Sequence, residues 1–577
     1  MKRIFNTILI VGVALFATSC QIDEYYRSDT MTSAQLKDDP TSAIYTTDGN
    51  YSMFKDTKEY RGSEDSGSTY QKMWFHMSEM RGDNAVLSGR TTSPIYNATT
   101  LTDNGTLKHQ TFFWWIAYKI IYSANTIIES LPEGESESSD HLLGENYFLR
   151  AVCHLNLSCL FSTQYSHGRE KPGVVLRTST DCSVTKRATV GEVYDQIVKD
   201  LLKAAELMKN GTPRGDNGYA SYEAARGLLT RVYLYREEWG NVIDLATNML
   251  GADARGKLDD DLTNLFVNAR TSKEVLWCIA NTVTDTRGRS SLGSMYYSPN
   301  GTGGIGWAEL YYSDPLMELF NRYPKDLRYA TQFKLHGATG EEDKAMVHWP
   351  FDQGDGVEWR TNAIAVDVTK NAEGKWAFNY QGVDYVVESK DKNGDGYPEN
   401  YIKGNPEGAD VDKDGEVKVY VRPNTDKVSG IRQNFPLYMM KKFSNQDGDS
   451  NLSSPIMIRW GEVILNLAEA YAMDGQDANA LKYVNVIRNR AGIPEWNDGN
   501  KWNEHGYTEV IEVVNDERRM ELCFEAHRPY DVIRQKRNID RRFSGVHTWE
   551  IVKWDDPRLL YRIPYDETNV SNIDQNP

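Results

Sequence analysis

Apolar residues recur at helical spacing over residues 458–492 and predict two packed helices joined by a short polar turn. Asp477 follows that turn and is placed to cap the second helix. Ala468, Tyr471 and Ala480 stand where a tetratricopeptide repeat has its small and aromatic packing residues. A helix pair of this kind cannot bury its apolar face alone, so we expect it to stack on similar neighbours.

Five further stretches show the same helical period and can supply those neighbours. Thr189 and Glu192 predict a capping box at the start of one of them. We interpret the stretches as divergent helical hairpins of a solenoid-like body, although unrelated amphipathic hairpins would show the same period. The stretches are residues 116–131, 144–161, 193–208, 224–235 and 239–250.

The pattern changes at about residues 335–435, where Gly/Asp turns and short alternating runs, such as 417–421, predict loops and β-hairpins laid over the helical body. Helical periodicity then returns and includes a stretch over 510–535. The predicted fold is therefore mostly α. Tetratricopeptide-like helix pairs, at about 116–250 and 457–537, form an α-solenoid-like body, and the second half of the chain is rich in loops and β-hairpins.

The first twenty residues have the pattern of an export signal. Lys2 and Arg3 precede an apolar run at 8–16, which is too short to cross a membrane as a stable helix, and small residues follow it up to Cys20. A cysteine in this place resembles a bacterial lipobox. We therefore expect residues 1–19 to be a lipoprotein signal peptide and Cys20 to carry a lipid. Ordinary secretory cleavage beside a stray cysteine is the alternative.

Residues 20–50 are polar and predict a lipidated tether, which leaves residues 51–577 as one large domain. Removal of the signal peptide takes away two basic residues and no acidic ones, so the formal net charge moves from −17 to −19. A chain this acidic, without a local basic patch, is not expected to bind nucleic acid. Zinc-type His/Cys spacing, a G-x-S-x-G elbow and an H-E-x-x-H motif are absent from the sequence. A glycosidase pair of distant carboxylates would leave no recognisable spacing.

A set of short motifs runs in order over nearly the whole mature chain. They are the lipobox at Cys20, Arg81-Gly82-Asp83-Asn84, Phe148-Leu149-Arg150-Ala151, Glu469-Ala470-Tyr471, Ile487-Arg488-Asn489-Arg490-Ala491-Gly492, Glu517-Arg518-Arg519-Met520-Glu521-Leu522, Phe524-Glu525-Ala526-His527-Arg528 and Gln575-Asn576-Pro577. Together they resemble the SusD/RagB-type outer-membrane nutrient-binding lipoproteins of Bacteroidetes. The sequence departs from the family pattern at Ala526, where many relatives have Gly, and in the length of the 335–435 insertion.

The resemblance implies a mostly helical body with four tetratricopeptide-like helix pairs. It also implies a non-catalytic lipoprotein that faces outward from the outer membrane and sits as a lid on a SusC-like TonB-dependent transporter, to which it delivers an oligosaccharide. Asp23 and Glu24 resemble the surface-export signal of such lipoproteins. In this family the helix pairs generally contact the transporter, while aromatic residues on loops hold the sugar.

Aromatic residues near loops are candidates for glycan binding, because sugars stack their C–H faces on rings while polar side chains hold the hydroxyls. The glycine-rich loop at 301–306 lies between such aromatics, and it lacks the flanking strand and helix of a dinucleotide site. Burial of Trp74 and Trp307 in the core is the alternative. The candidates are Trp74, Asp83, Asn84, Tyr96, Tyr296, Tyr297 and Trp307.

Two acidic loops predict structural calcium sites, because oxygen side chains alternate in them and a glycine stands at the sharp turn. Neither loop is an EF-hand, since the twelfth position is Ile402 in the first and Val421 in the second. Ordinary Asp/Asn/Gly turns would show the same pattern. The candidate ligands are Asp391, Asn393, Asp395, Tyr397 and Glu399 in the first loop and Asp410, Asp412 and Asp414 in the second.

Charged residues recur at i, i+4 spacing over 517–528, and we interpret them as intrahelical ion pairs rather than as a catalytic site. The leading functional hypothesis is a lipid-anchored, non-catalytic protein that captures a glycan and delivers it to a transporter. A surface polysaccharide hydrolase and a peptide-capturing lipoprotein on the same scaffold are the alternatives.

Overall fold

A computed structural model describes most of the chain from residue 42 onward. The predicted tether over 20–50 is too long at its C-terminal end, because Ala43–Ser52 form a helix in which Ala43, Thr47 and Asn50 are buried. The described residues are 42–576 except 58, 61–62, 65–66, 88–92, 184, 300–305, 335–343, 351–362, 393, 395, 407–408, 410, 424–437, 544, 549 and 572. They are mostly helical where they form the body, as the sequence predicts. In this described portion, none of the helices is both long enough and apolar enough to span a bilayer.

Helices of the described residues fall into two groups along the chain. The first group is α1 Ala43–Ser52, α2 Tyr70–Glu79, α3 Ile95–Thr99, α4 Lys108–Ser130, α5 Glu137–Phe161, α6 Val190–Met208, α7 Tyr222–Tyr235, α8 Trp239–Leu250 and α9 Leu262–Val267. The second group is α10 Asp314–Asn321, α11 Trp460–Met473, α12 Asp477–Arg490, α13 Val510–Glu521, α14 Arg528–Arg534 and α15 Tyr565–Ser571.

The helices stack in a continuous series. α4 packs on α5, α5 on α6, α6 on α7 and α7 on α8. α8 then packs on α11, which also contacts α12 and α13, so the two halves of the helical body meet at α8 and α11. Their apolar faces share one large core, which includes Trp277, Leu465 and Phe524. The predicted α-solenoid-like body of helix pairs is confirmed.

The structure tests the predicted ends and caps of individual helices. The capping box ahead of α6 is present, since the Glu192 N–H donates to Thr189 Oγ1 and the Thr189 N–H donates to the Glu192 carboxylate at 2.8 Å. α8 has the predicted bounds. The prediction that Asp477 caps the second helix of its pair is wrong, because α12 already begins at Asp477 and Gln476 occupies the cap position.

The stretch predicted as one helix over 510–535 is two helices, α13 and α14. Between them Phe524 and Ala526 have φ values of +64° and +61°, which lie outside the right-handed helical region. The Ala526 N–H donates to Glu79 Oε1 at 2.9 Å. The break therefore fixes the C-terminal helices to α2 in the first part of the chain.

The strands within the helical body are short, and the longer strands pair with one another as a separate unit. The strands of the body are β1 Glu59–Tyr60, β2 Ser63–Glu64, β3 Ala85–Leu87, β4 Pro172–Val175, β5 Arg187–Thr189, β6 Val275–Cys278, β7 Leu310–Tyr312 and β8 Gln332–Lys334. The separate unit has β9 Lys344–Pro350, β10 Ala363–Lys370, β11 Trp376–Tyr380, β12 Val383–Lys390, β13 Glu399–Lys403 and β14 Glu416–Pro423. The body continues with β15 Tyr438–Met440, β16 Ile456–Arg459, β17 Ile539–Asp540 and β18 Ile551–Val552.

β9–β14 form a closed antiparallel barrel in the order β10-β11-β12-β13-β14-β9. β9 pairs with both β10 and β14, and this second, non-local pairing closes the barrel. Inside it, Trp349 stacks on Phe378 at a ring-centroid distance of 5.9 Å, and Phe378 stacks on Tyr385. The predicted hairpins are present, and they enclose an apolar core of their own. They also contact the helical body, since Lys418 Nζ of β14 lies 2.9 Å from Glu318 Oε2 of α10.

Charged residues of the C-terminal helices are buried and paired. Arg459 is fully buried and lies 2.7 Å from carboxylate oxygens of Glu274, Glu521 and Glu525. Burial alone would raise the pKa of Glu525, but the positive charges of Arg459 and Lys442 outweigh burial and lower that pKa to about 2. The loss of one partner would leave an uncompensated buried charge.

These ion pairs join different elements, so the predicted intrahelical pairing over 517–528 is wrong. Glu517 of α13 lies 2.7 Å from Arg328, which precedes β8. Arg518 of α13 lies 3.1 Å from Asp531 of α14. The charged residues face inward to neighbouring elements because the apolar residues between them place this side of α13 against the body.

Candidate functional site

Most of the side chains predicted to bind sugar are buried. Trp74 is 4% exposed, and its ring stacks on Tyr530 at 5.8 Å with 10° between the ring planes. Tyr296 is fully buried against Phe443 and Phe524. These rings pack in the core and present no free face to solvent. The buried candidates are Trp74, Asp83, Asn84, Tyr96, Tyr296 and Tyr297.

Asp83 and Asn84 connect the loop after α2 to the C-terminal helices. Asp83 Oδ1 accepts a hydrogen bond from Arg528 Nε at 2.7 Å, and Asn84 Oδ1 accepts one from Arg519 Nε at 2.8 Å. Burial alone would raise the pKa of Asp83, but Arg519 and Arg528 outweigh it and hold that pKa well below its usual value. These contacts give both side chains a structural role.

Trp307 is the exposed candidate, with 42% of its surface open to solvent. The backbone N–H of Trp307 donates to the Ser294 backbone oxygen at 2.8 Å. Gly306, the residue before Trp307, lies so close to the backbone of Tyr297 that a Cβ on Gly306 would lie 2.4 Å from the Tyr297 carbonyl oxygen. The Arg289 guanidinium lies 5.2 Å from the centre of the indole ring. An exposed ring on an anchored backbone, with a guanidinium beside it, suits stacking on a sugar and hydrogen bonding to its hydroxyls.

Arg289, which contacts the Trp307 ring, belongs to the segment 283–290. Asp285 in this segment lies 2.9 Å from Lys55 Nζ, which ties the segment to the end of α1. We refer to residues 283–290 and Trp307 as the Trp307 surface. The sequence did not predict Arg289 as a site residue, because no spacing motif relates it to Trp307. Residues 300–305, which belong to the predicted glycine-rich loop, lie outside the described residues.

A polar cavity of about 230 Å³ lies next to the Trp307 surface. Lys55 borders both, and Tyr219, Asp216 and Arg270 also line the cavity. An aromatic ring surrounded by charged hydrogen-bonding groups is a composition that suits sugar binding. The sequence gives no signal for this cavity, since its residues come from separate elements.

The first predicted calcium loop uses its oxygens for turn and ion-pair contacts. The Gly394 N–H donates to Asp391 Oδ1 at 2.7 Å, and Glu399 Oε1 lies 2.6 Å from Lys418 Nζ. Tyr397 packs on a histidine ring instead of turning into the loop. The candidate ligands that lie outside the described residues are Asn393, Asp395 and Asp410.

In the second loop a lysine lies among the carboxylates. Lys392 Nζ contacts Asp412, and it lies 3.3 Å from Asp414 and 2.8 Å from Glu416. Across the residues that the structure describes, no group of three or more His, Cys, Asp or Glu side chains is arranged to hold a metal ion. The described donors fit turn chemistry better than a calcium cage, and calcium binding stays a prediction.

Comparison with known proteins identifies the family. The model of the SusD family matches residues 273–577, and a model described as starch-binding associating with outer membrane matches residues 59–234. The first match alone covers more than half of the chain. The chain therefore belongs to the SusD family, which confirms the resemblance to SusD/RagB-type proteins.

Individual relatives are distant in sequence and similar in fold. SusD-like protein P25 of Formosa agariphila is 23% identical over 434 residues, which are 73% of this chain and 69% of the relative. A crystal structure of a putative sugar binding protein from Bacteroides vulgatus has a TM-score of 0.63 at 22% identity and covers 93% of this chain and 98% of that one. A laminarin binding SusD-like protein has a TM-score of 0.58 at 19% identity, with 93% and 99% covered.

Proposed function

We propose that this protein captures a glycan on the cell surface at the Trp307 surface and delivers it to a TonB-dependent transporter of the outer membrane. The observation that supports the proposal most directly is the exposed indole of Trp307, which lies beside Arg289 on a backbone anchored to Ser294. Structural neighbours described as sugar binding and laminarin binding favour a glycan as the ligand. Affinity would come from ring stacking and hydrogen bonds, without a chemical step.

The location rests on the first residues of the chain and on the family description. Cys20 would carry the lipid, and the helix pairs would supply a large contact surface to a SusC-like transporter. The description of one matching family as associating with the outer membrane supports this location. In cells, Cys20→Ser should move the protein from the membrane fraction to the soluble fraction. Labelled palmitate should be incorporated into the unmodified protein and not into Cys20→Ser, which separates lipid anchoring from retention by the transporter. Equal labelling of the two proteins would contradict lipid anchoring.

Affinity electrophoresis of residues 21–577 in gels that contain different polysaccharides, laminarin among them, tests the binding site. We expect one glycan class to retard the protein and Trp307→Ala to weaken that binding about tenfold, because the stacking platform is lost. Tyr122→Ala is the matched control, since Tyr122 is 48% exposed on α4, away from the Trp307 surface. Thermal unfolding of both variants verifies that each is folded.

The outcomes separate the proposal from its alternatives. Binding that survives Trp307→Ala would keep glycan capture and reject the Trp307 surface, with the cavity at Tyr219 next to be tested. Steady release of shorter sugars by the unmodified protein would indicate a polysaccharide hydrolase. Binding of peptides, with no retardation by any glycan, would indicate a peptide-capturing protein.

A further inference from the structure

The polar cavity next to the Trp307 surface has a buried floor and a closely packed wall. Phe54 and Trp277 line the floor and are each 1% exposed. One wall belongs to the loop at 216–219, in which a Cβ on Gly218 would lie 2.4 Å from the Cβ of Ala280. The Trp277 indole N–H donates to the Gly218 backbone oxygen at 3.2 Å. These contacts hold the wall against the floor.

Tyr219, at the end of this loop, is held in place by its neighbours. The Arg214 guanidinium lies 4.3 Å from the centre of the Tyr219 ring, and Arg214 is itself 2.8 Å from carboxylate oxygens of Asp48 and Glu145. The Tyr51 ring packs edge-on against Tyr219 at 5.2 Å. A side chain that is already ordered loses less conformational entropy when a ligand binds.

Three residues that line the cavity have polar atoms that are open to solvent and make no hydrogen bond within the part of the chain that the structure describes. These atoms are the hydroxyls of Ser52 and Tyr219 and Nη1 of Arg270. A hydroxyl can donate and accept, whereas a guanidinium only donates. Sugar hydroxyls also donate and accept, so they can satisfy all three groups.

The charges that line the cavity balance one another. They are two carboxylates and two basic groups, those of Asp48, Asp216, Lys55 and Arg270. Arg270 Nε donates to Asp216 Oδ2 at 2.6 Å. Lys55 and Asp48 lie 2.9 Å and 2.8 Å from oppositely charged groups just outside the lining. A charged ligand would find each opposite charge already paired, so an uncharged ligand fits the cavity.

We propose that this cavity is a second subsite of the glycan site and holds one neutral sugar unit of the chain that stacks on Trp307. This inference rests on the proposed function and adds the class of glycan. The volume of about 230 Å³ suits one sugar ring, since an engineered cavity of about 150 Å³ holds one benzene. Thr282 lines the cavity, and the segment 283–290 follows it directly. From Thr282 to Arg289 the chain spans at most about 25 Å, which an oligosaccharide of several units can bridge.

Affinity gels of residues 21–577 test the inference, with laminarin, galactomannan and xylan as neutral probes and alginate as an acidic one. We expect a neutral glycan to retard the protein and added salt to change this little, because no ion pair forms. Tyr219→Phe keeps the packed ring and removes the hydroxyl, so it should weaken binding about fivefold, as for the loss of one hydrogen bond. Ser52→Ala should have a similar effect. Tyr122→Phe, at an exposed tyrosine of α4, is the matched control and should change nothing.

Titration calorimetry with an oligosaccharide of the retarding glycan, laminarihexaose in the case of laminarin, tests whether one chain occupies both subsites. We expect one oligosaccharide per protein, and Trp307→Ala combined with Tyr219→Phe should weaken binding about fiftyfold, the product of the single effects. Two oligosaccharides per protein, no effect of Tyr219→Phe and Ser52→Ala, or retardation by alginate alone would each overturn the inference and leave glycan capture standing. Retardation by none of the probes would reject both.

Discussion

The helical body and the β9–β14 barrel are stabilised in different ways. In the body, guanidinium groups such as those of Arg459 and Arg490 are buried and paired with carboxylates from other elements. In the barrel, the interior is apolar and aromatic, and an ion pair such as that of Lys375 with Glu388, at 3.7 Å, is exposed. The body thus depends on buried charges being matched, whereas the barrel depends on the packing of its core.

The two regions also differ in how far apart their contacts lie along the chain. Strands β9 to β13 each pair with the next strand along the chain, so most of the pairing in the barrel is local. In the body, Asp83 pairs with Arg528, 445 positions later, and Arg231 pairs with Glu462, 231 positions later. Pairing between consecutive strands brings together only nearby parts of the chain. The ion pairs of the body form only when distant parts of the chain have come together.

Acid should separate the two regions most strongly. Glu525, with a folded-state pKa of about 2 against an ordinary 4.5, stabilises the fold above pH 4.5, and that stabilisation is lost as the pH falls towards 2. The pKa values of Glu521 and Asp531 are also lowered, because the positive charges beside them outweigh burial, so the same loss of stabilisation on acidification applies to them. We expect the body to unfold below about pH 3.

Hydrogen exchange followed by mass spectrometry can compare the regions as the pH is lowered. Peptides from α11–α14 should lose protection before peptides from β11–β13. Between pH 6.5 and 4.5, two other groups change the stability in opposite directions. His527, with its pKa lowered to about 4 by burial, loses stabilisation as the pH falls, and Glu79, with its pKa raised to about 8 by burial, gains it. Simultaneous loss of protection in both regions would contradict the comparison.

Arg459→Met should have the next largest effect. It removes the cation that contacts Glu274, Glu521 and Glu525 and leaves those carboxylates buried and uncompensated. We expect the free energy of unfolding in urea to fall by about 3–5 kcal/mol. Lys375→Met on the barrel surface is the matched control and should change it little, because exposed ion pairs contribute weakly. Equal effects of the two substitutions would show that the buried ion pairs contribute no more to stability than the exposed one.

Trp349→Ala tests the barrel. Trp349 is fully buried and stacks on Phe378, so the substitution leaves a cavity in a small core and should cost about 3 kcal/mol of barrel stability. Limited proteolysis should then cut within residues 344–423, while the helical body stays resistant. Retardation by glycan should also persist, because the Trp307 surface is not part of the barrel. Cleavage throughout the body would show that the barrel and the body unfold together.

Ala526→Gly should have the smallest effect, and it should be stabilising. Ala526 has a φ of +61°, where glycine is free of the penalty that a Cβ causes, and the gain exceeds the loss of one buried methyl group by about 0.5 kcal/mol. Phe524→Gly at a φ of +64° is the control and should destabilise, since a fully buried ring is lost. Differential scanning calorimetry measures both, and a lower melting temperature for Ala526→Gly would refute the argument.

The sequence predicts features that depend on residues close together in the chain. The Thr189–Glu192 capping box and the bounds of α8 involve only their own turns, and both are confirmed. The alternation over 417–421 lies within β14 for the same reason. Closure of the barrel depends on β9 meeting β14, and no alternating pattern contains that information.

The candidate site could be predicted only in part. Trp74 and Trp307 stand in similar aromatic surroundings in the sequence, and only the fold shows that one stacks on Tyr530 in the core while the other is exposed. Arg289 meets Trp307 after folding. Burial of a ring depends on which element covers it, so composition and spacing cannot distinguish these tryptophans.

The bond between Asp83 and Arg528 has a consequence for the order in which the chain folds. A chain made from its N-terminus presents Asp83 long before its partner exists, and the entropy lost in closing so long a loop opposes the contact. The hairpins from α4 to α8 need only neighbouring segments, but the contacts of α14 with α2 wait until α14 has been made. Asn576 Nδ2 likewise donates to the backbone oxygen of Phe161, a residue made 415 positions earlier, at 2.9 Å. Segments made early in synthesis therefore stay without these contacts until segments made much later reach them.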